Sequence, residues 1–380
     1  PIRIGPFSMN SDENKFLFPT QTEAIYRHSS KSEYYIWDVN TRELKKLSEG
    51  GKQSLADFSP KGDKVAFVRN NNIYFVDINT GEEKQITTDG KKNEIINGTC
   101  DWVYEEEFGF TKGFQWSPNG NKIAFYRFDE SKVKEYTLTN YGDLYPKQET
   151  YKYPKAGEDN SIVEILVYDM QNGYTTKMDI GEETDQYIPR IKWTNDPKVL
   201  SLQRLNRLQN HLDILLADSE NGNTRIMYSE DNEYYIDITD NLVFLSDNKR
   251  FLITSEKDGY NHMYLYNMDG TLDRQLTDGD WEIRDLYGYD SHNKIVYYQS
   301  VESSPLNRDV YKVTLKGKTT KLLKKDGTNN ATFSSNFKYY INNYSTIGVP
   351  PIYTVNLSDG NIVRILEDNK ELRNKLAEYK

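Results

Sequence analysis

Residues 101–108, Asp101-Trp102-Val103-Tyr104-Glu105-Glu106-Glu107-Phe108, set three consecutive carboxylates among aromatic side chains. Like charges this close repel, which costs stability unless a cation offsets it. A pair of acids that cleaves a glycosidic bond must face each other across roughly 5–10 Å, which adjacent residues rarely do. Metal-binding loops for hard cations spread their carboxylates, and His28, His211, His262 and His292 show no ligand spacing. No metal and no cofactor is therefore expected. A solvated acidic turn remains open as the plain reading. The ligand that a glutamate pair between aromatic rings suits best is an ammonium group. Carboxylate–ammonium hydrogen bonds are charge-assisted, and an aromatic wall lowers the local dielectric. No Gly-x-Ser-x-Gly nucleophile motif occurs in the sequence, so no catalytic residue is assigned.

The elements that position this segment follow from composition and repetition. The chain has 380 residues, 48 Lys plus Arg against 58 Asp plus Glu, and a formal charge of −10. That balance argues against a nucleic-acid partner and against anionic membranes, both of which need clustered Lys and Arg. No apolar run approaches the ~18–20 residues of a membrane span. Hydrophobic residues are 36% while 30 residues are tyrosine, which suits short strands with half-buried faces. Cys100 is the single cysteine and cannot form an internal disulfide, which leaves the cellular compartment open.

Phe58-Ser59-Pro60-Lys61-Gly62-Asp63-Lys64-Val65-Ala66-Phe67-Val68-Arg69 recurs as Trp116-Ser117-Pro118-Asn119-Gly120-Asn121-Lys122-Ile123-Ala124-Phe125-Tyr126-Arg127. Looser copies begin at Met9, Trp193, Phe244, Tyr289 and Phe333. Each copy reads as a strand end, a polar turn and further short strands joined by turns such as Asn79-Thr80-Gly81 and Met268-Asp269-Gly270. Short strands recurring at about 45 residues are the mark of β-propeller blades, with a β-sandwich pair as the alternative. The expected fold is all-β: seven visible blade repeats of four antiparallel strands over residues 1–364, then a helical tail over 365–380.

Two spacings are too long and hold insertions, at residues 94–111 and 132–161. Insertions in a repeat array map to loops, where function concentrates. The second reads as a two-stranded arm, Glu135-Tyr136-Thr137-Leu138 against Tyr151-Lys152-Tyr153. An isolated hairpin is marginal in water, so a Tyr- and Leu-rich arm is expected to pack on a partner, or else on its own blade. Both ends read as cuts through a longer protein. Asn-x-Ser/Thr sequons at Asn97, Asn330, Asn343 and Asn356 carry no inference about location.

With the acidic segment and the repeat in hand, the chain resembles the dipeptidyl peptidase IV family, serine exopeptidases of the prolyl oligopeptidase type. Residues 101–108 resemble its double-glutamate motif. Tyr26-Arg27-His28-Ser29 resembles its arginine segment, Tyr153-Pro154-Lys155-Ala156-Gly157 the segment after its propeller extension, and Asn206-Arg207-Leu208-Gln209-Asn210 a further family segment. The resemblance implies an eight-bladed propeller followed by an α/β-hydrolase domain, where this sequence shows seven copies and no nucleophile motif. It implies that Glu106 and Glu107 bind the substrate's α-ammonium, that Arg27 hydrogen-bonds a substrate carbonyl, and that Glu105 serves structure. Without the resemblance, Arg27 reads equally as a strand-edge salt bridge. The expected function is thus the substrate-gating propeller of an enzyme that releases Xaa-Pro or Xaa-Ala dipeptides from peptide N-termini. The chain alone is expected to be inactive, its partners being peptides with a free N-terminus, the hydrolase domain, and a second copy through the arm, in the periplasm or envelope. A free-standing propeller that binds protein or peptide partners is the competing reading.

Overall fold

The strand Lys64–Arg69 is buried at Val65, Ala66, Phe67 and Val68 in succession, which requires apolar cover on both faces of its sheet. That cover comes from neighbouring sheets of the same kind. In the computed structural model, which describes residues 5–323 and 325–379, the strands form eight antiparallel sheets. Seven are blades with strands in sequence order. Six of these have four strands, and one, built on Phe114–Trp116, Lys122–Asp129, Ile162–Asp169 and Thr175–Lys177, gains a fifth strand, Ile95–Asn97. The eighth sheet is the arm, Glu135–Asn140 paired with Lys147–Lys152. The fold is the expected all-β arrangement of propeller blades, with seven blades among the described residues.

The chain divides into two units, residues 1–235 and 236–380. In the first unit, Leu17 and Ile36 of the first sheet pack on Phe58, Phe67 and Val76 of the second. The other face of the second sheet, at Ala66, Val68 and Ile73, packs on Phe114, Ile123 and Phe125 of the third. In the second unit, Leu252, Met263 and Leu265 meet Ile283, Val296 and Val313, and Tyr297 and Val310 meet Ala331 and Tyr340.

Every repeat start identified in the sequence falls on the first strand of a blade: Met9, Phe58, Trp116, Trp193, Phe244, Tyr289 and Phe333. The turn that follows uses the same device in several copies. Gly62 N–H donates to Ser59 O and Gly120 N–H to Ser117 O, both at 2.8 Å, with φ of +65° and +70° at the glycines. A side chain at Gly62 would also meet Asn10 at 2.7 Å. Asn248 and Phe337 take the equivalent left-handed position in two later copies.

Strand order 1-2-3-4 with antiparallel pairing has a geometric consequence. The connection from strand 2 to strand 3 and the connection from strand 4 to the next blade emerge at the same end of a sheet. Arg27 lies in the 2–3 turn of the first blade, after Lys15–Ala24, and the acidic segment lies in the connection from the second blade to the third.

The tail departs from expectation. Ile365 and Leu366 belong to the outer strand Ile362–Glu367, and the helix is confined to Lys370–Leu376. Asn97 and Asn356, two of the sequon asparagines, are fully buried. Among the described residues no helix is long and apolar enough to cross a membrane, and no group of His, Cys, Asp and Glu is arranged to hold a metal ion.

Candidate functional site

The acidic segment folds into a one-turn helix, α1 (Trp102–Glu106), too short to persist on its own propensity. It is held from both sides. Asp101 caps it, its carboxylate accepting from Tyr104 N–H at 2.9 Å and from Ser161 Oγ at 2.6 Å. Tyr104 fills the core beneath, its ring centroid 4.9 Å from both Phe108 and Phe128. Its hydroxyl accepts a hydrogen bond from Ile188 N–H at 2.9 Å. A helix pinned by one buried ring and one buried carboxyl has little freedom to rotate.

The three glutamates consequently point to three environments. Glu105 is 1% exposed, and its Oε1 accepts from the backbone N–H of His28 at 2.7 Å and of Ser29 at 3.0 Å. Glu106 Oε1 lies 3.3 Å from Arg27 Nε, the side chains being 14% and 73% exposed respectively. Glu107 closes the helix, with N–H donating to Val103 O at 2.8 Å, and is exposed. Its carboxylate has no hydrogen-bond or ion-pair partner among the described residues. The structure therefore brings Arg27 and Glu106 together across 79 positions of sequence and sets Glu107 beside them.

Aromatic rings line this place. Tyr26 packs against Tyr151 at 5.6 Å, and Trp102 against Tyr153 at 4.3 Å. Burial pushes the Tyr26 hydroxyl's pKa up, as do the charges of Glu130, Asp101 and Glu105. The arm's base thus contributes directly to the wall, through Tyr151 and Tyr153. Lys155 lies over the Tyr136 ring at 5.3 Å. Arg207 reaches Asp185 at 2.8 Å and donates to Glu158 O at 3.1 Å, tying the stretch after the arm to the fourth blade. Asn206 Oδ1 accepts from Asn210 N–H and His211 N–H, which shapes that turn.

One group was not visible in the sequence. Glu130 is 5% exposed at the root of the arm, and burial, followed by the charge of Asp101, raises its carboxyl to about 7. Burial also raises the Asp101 carboxyl. Nothing in the residues around Glu130 in sequence marks it, because its environment is assembled from residues 26, 101 and 152. Cys100 is buried with its thiol pKa raised and donates to Phe110 O at 2.9 Å, an inert setting.

Chemically, the arrangement offers two carboxylates and a guanidinium to a polar ligand, with aromatic cover. Comparison with known proteins identifies the family. The family described as the dipeptidyl peptidase IV (DPP IV) N-terminal region matches residues 10–351. A "probable dipeptidyl-aminopeptidase B" of Pyrenophora teres f. teres is 30% identical over 98% of this chain and 45% of its own length. A "probable dipeptidyl peptidase 4" of Emericella nidulans is 28% identical over the whole chain and 52% of its own length. The crystal structure of Porphyromonas gingivalis dipeptidyl peptidase 4 superposes with a TM-score of 0.94 at 41% identity, covering all of this chain and 54% of that one. The chain spans about half the length of the relatives it matches. By sequence and by fold, the chain belongs to the dipeptidyl peptidase IV family and corresponds to its N-terminal region.

Proposed function

We propose that Glu106 and Glu107 bind the α-ammonium of a peptide substrate, with Arg27 hydrogen-bonding a substrate carbonyl beside them, in a full-length serine dipeptidyl peptidase. The observation that carries this reading is the Arg27–Glu106 pair at 3.3 Å with an unpartnered Glu107 one residue on. Two carboxylates under aromatic cover reject a chain that lacks the ammonium, because the carboxylates then lose their hydration without gaining a partner. The distance from this anchor to a nucleophile on another domain acts as a ruler, selecting cleavage after the second residue, with proline or alanine there. The chain itself carries no nucleophile motif and is inert alone. The arm packs on a second subunit, and the location is the periplasm or cell envelope.

The test uses the full-length enzyme and a Gly-Pro chromogenic amide. A charge-assisted hydrogen bond contributes roughly 1.5–3 kcal/mol, so Glu106→Gln and Glu107→Gln should each lower kcat/KM by about 10–150-fold. An N-acetylated peptide is a poor substrate for parent and variants alike. Since an α-amine titrates near ~7.7–8.0, affinity falls as pH rises past that range. If both variants stay within about twofold of the parent, well below the loss a charge-assisted bond implies, the ammonium anchor is wrong.

A further inference from the structure

The turn that carries Arg27 is incompletely satisfied by its own chain. Ile25 N–H donates to Ser29 O at 2.8 Å and Tyr26 N–H to Ser29 Oγ at 3.1 Å, which closes the loop around Arg27. The N–H groups of His28 and Ser29 are left pointing away from that closure. Both are taken by Glu105 Oε1, from a helix 76 and 77 residues further along the chain. Glu105 is buried, so its carboxylate has no competing water, and two amide donors on one charged oxygen form strong, directional bonds.

The neighbouring residue completes the arrangement. Glu106 reaches the Arg27 side chain while Glu105 holds the backbone amides of the next two residues, His28 and Ser29. Arg27 is mostly exposed and has this one ion pair among the described residues, so its side chain alone cannot fix where the guanidinium sits. The same one-turn helix therefore grips the turn twice, once by main chain and once by side chain. The first grip sets the second.

We infer that Glu105 is a positioning residue for recognition of the substrate N-terminus: its clamp on the His28 and Ser29 amides holds Arg27 in register with Glu106 and Glu107. This rests on the proposed role of those three residues. It sets the first member of the acidic triplet apart from the other two: Glu105 acts through Arg27 and never touches substrate. Of the titratable groups around it, Tyr26 and Cys100 feel its charge, and neither of them supplies an acceptor to the two amides.

The experiment is a double-mutant cycle in the full-length enzyme, assayed with a Gly-Pro chromogenic amide. Glu105→Gln keeps an acceptor oxygen of the same shape and removes the charge, so the fold is retained and the clamp is weakened. The expected result is a KM raised about 3–10-fold with kcat little changed, the difference between charge-assisted and neutral hydrogen bonds. In an Arg27→Met background the same change should leave KM within about twofold, because the group it positions is gone. Glu105→Asp, charged but one methylene short, should recover less than half of the loss. Equal effects of Glu105→Gln with and without Arg27 would show that it acts on the fold at large and overturn the inference. If Arg27→Met alone leaves KM unchanged, the recognition reading itself fails and this inference with it, an outcome distinct from additivity.

Discussion

The two insertions in the blade repeat both mix aromatic residues with acids, and have opposite fates. Residues 94–111 turn inward. Tyr104 is buried among Phe108, Phe110, Tyr126, Phe128 and Tyr187, and Glu105 is buried against backbone amides. Residues 132–161 turn outward. Past a base packed through Tyr151 and Tyr153, the arm exposes Tyr141, Leu144 and Tyr145 almost completely, Leu144 at 92%. The difference lies in what surrounds each ring, since tyrosine serves both. The glutamates of the first insertion are thus mounted on the core, whereas the tip of the second is left free of it.

The largest effect that follows is on stability. Tyr104→Ala removes a fully buried ring and the acceptor of the Ile188 amide, and should cost about 3–5 kcal/mol of folding free energy. Tyr145→Ala, in the other insertion, should stay within about 0.5 kcal/mol. Denaturant unfolding of the isolated chain reads both. A cost below about 1 kcal/mol for Tyr104→Ala would remove the contrast between the insertions.

A smaller effect comes from Glu130, which sits where the two insertions meet. Its neighbours are Asp101, Asp129, Lys152, Tyr26 and the backbone N–H of Asn93. Its carboxyl is raised in the folded state to about 7 from 4.5. Between those values the folded chain binds a proton that the unfolded chain has lost, so stability decreases as pH rises through this window and levels off above it. Asp101, raised in the same sense, adds to the slope from lower pH. Glu130→Gln should flatten the upper part of the curve and raise Tm at pH 8 relative to the parent, with little difference at pH 5. Parallel Tm curves for the two proteins would show that Glu130 is not the titrating group.

How far the sequence reached can be traced through the same residues. The blades were legible because the Ser-Pro-x-Gly turn repeats for a local reason, a left-handed position that glycine fills without strain. Helix α1 was not legible, since five residues carry no helical period and its stability comes from Asp101, Tyr104 and Ser161. Arg27 and Glu106 were paired through resemblance alone, as no local pattern links positions so far apart. Ile365 and Leu366 read as helical by proximity to Leu372 and Leu376. Pairing won instead: Ile365 sits opposite Thr354 and Ile362 opposite Asn356 in the ladder, on a strand rich in β-branched residues.

The smallest effect on folding is expected at the tip of the arm, and there the measurement that matters is association. Tyr136 and Tyr151 are cross-strand partners and, with Tyr153, belong to the packed base. Removing the whole arm would therefore strip the wall of the candidate site together with any interface. Replacing residues 141–146 by Asn-Gly keeps the base and the strand register, since that dipeptide closes a two-residue hairpin. Folding free energy should change by no more than about 0.5 kcal/mol, as the lost side chains are exposed and Asp143 gives up a solvent-facing ion pair with Lys147. If the exposed Tyr141, Leu144 and Tyr145 contact a second copy, sedimentation of the full-length enzyme should shift from dimer to monomer while kcat/KM per active site holds. A dimer that survives the replacement with its dissociation constant unaltered would mean that the tip is solvent-facing, and that the outward insertion serves the site only through Tyr151 and Tyr153.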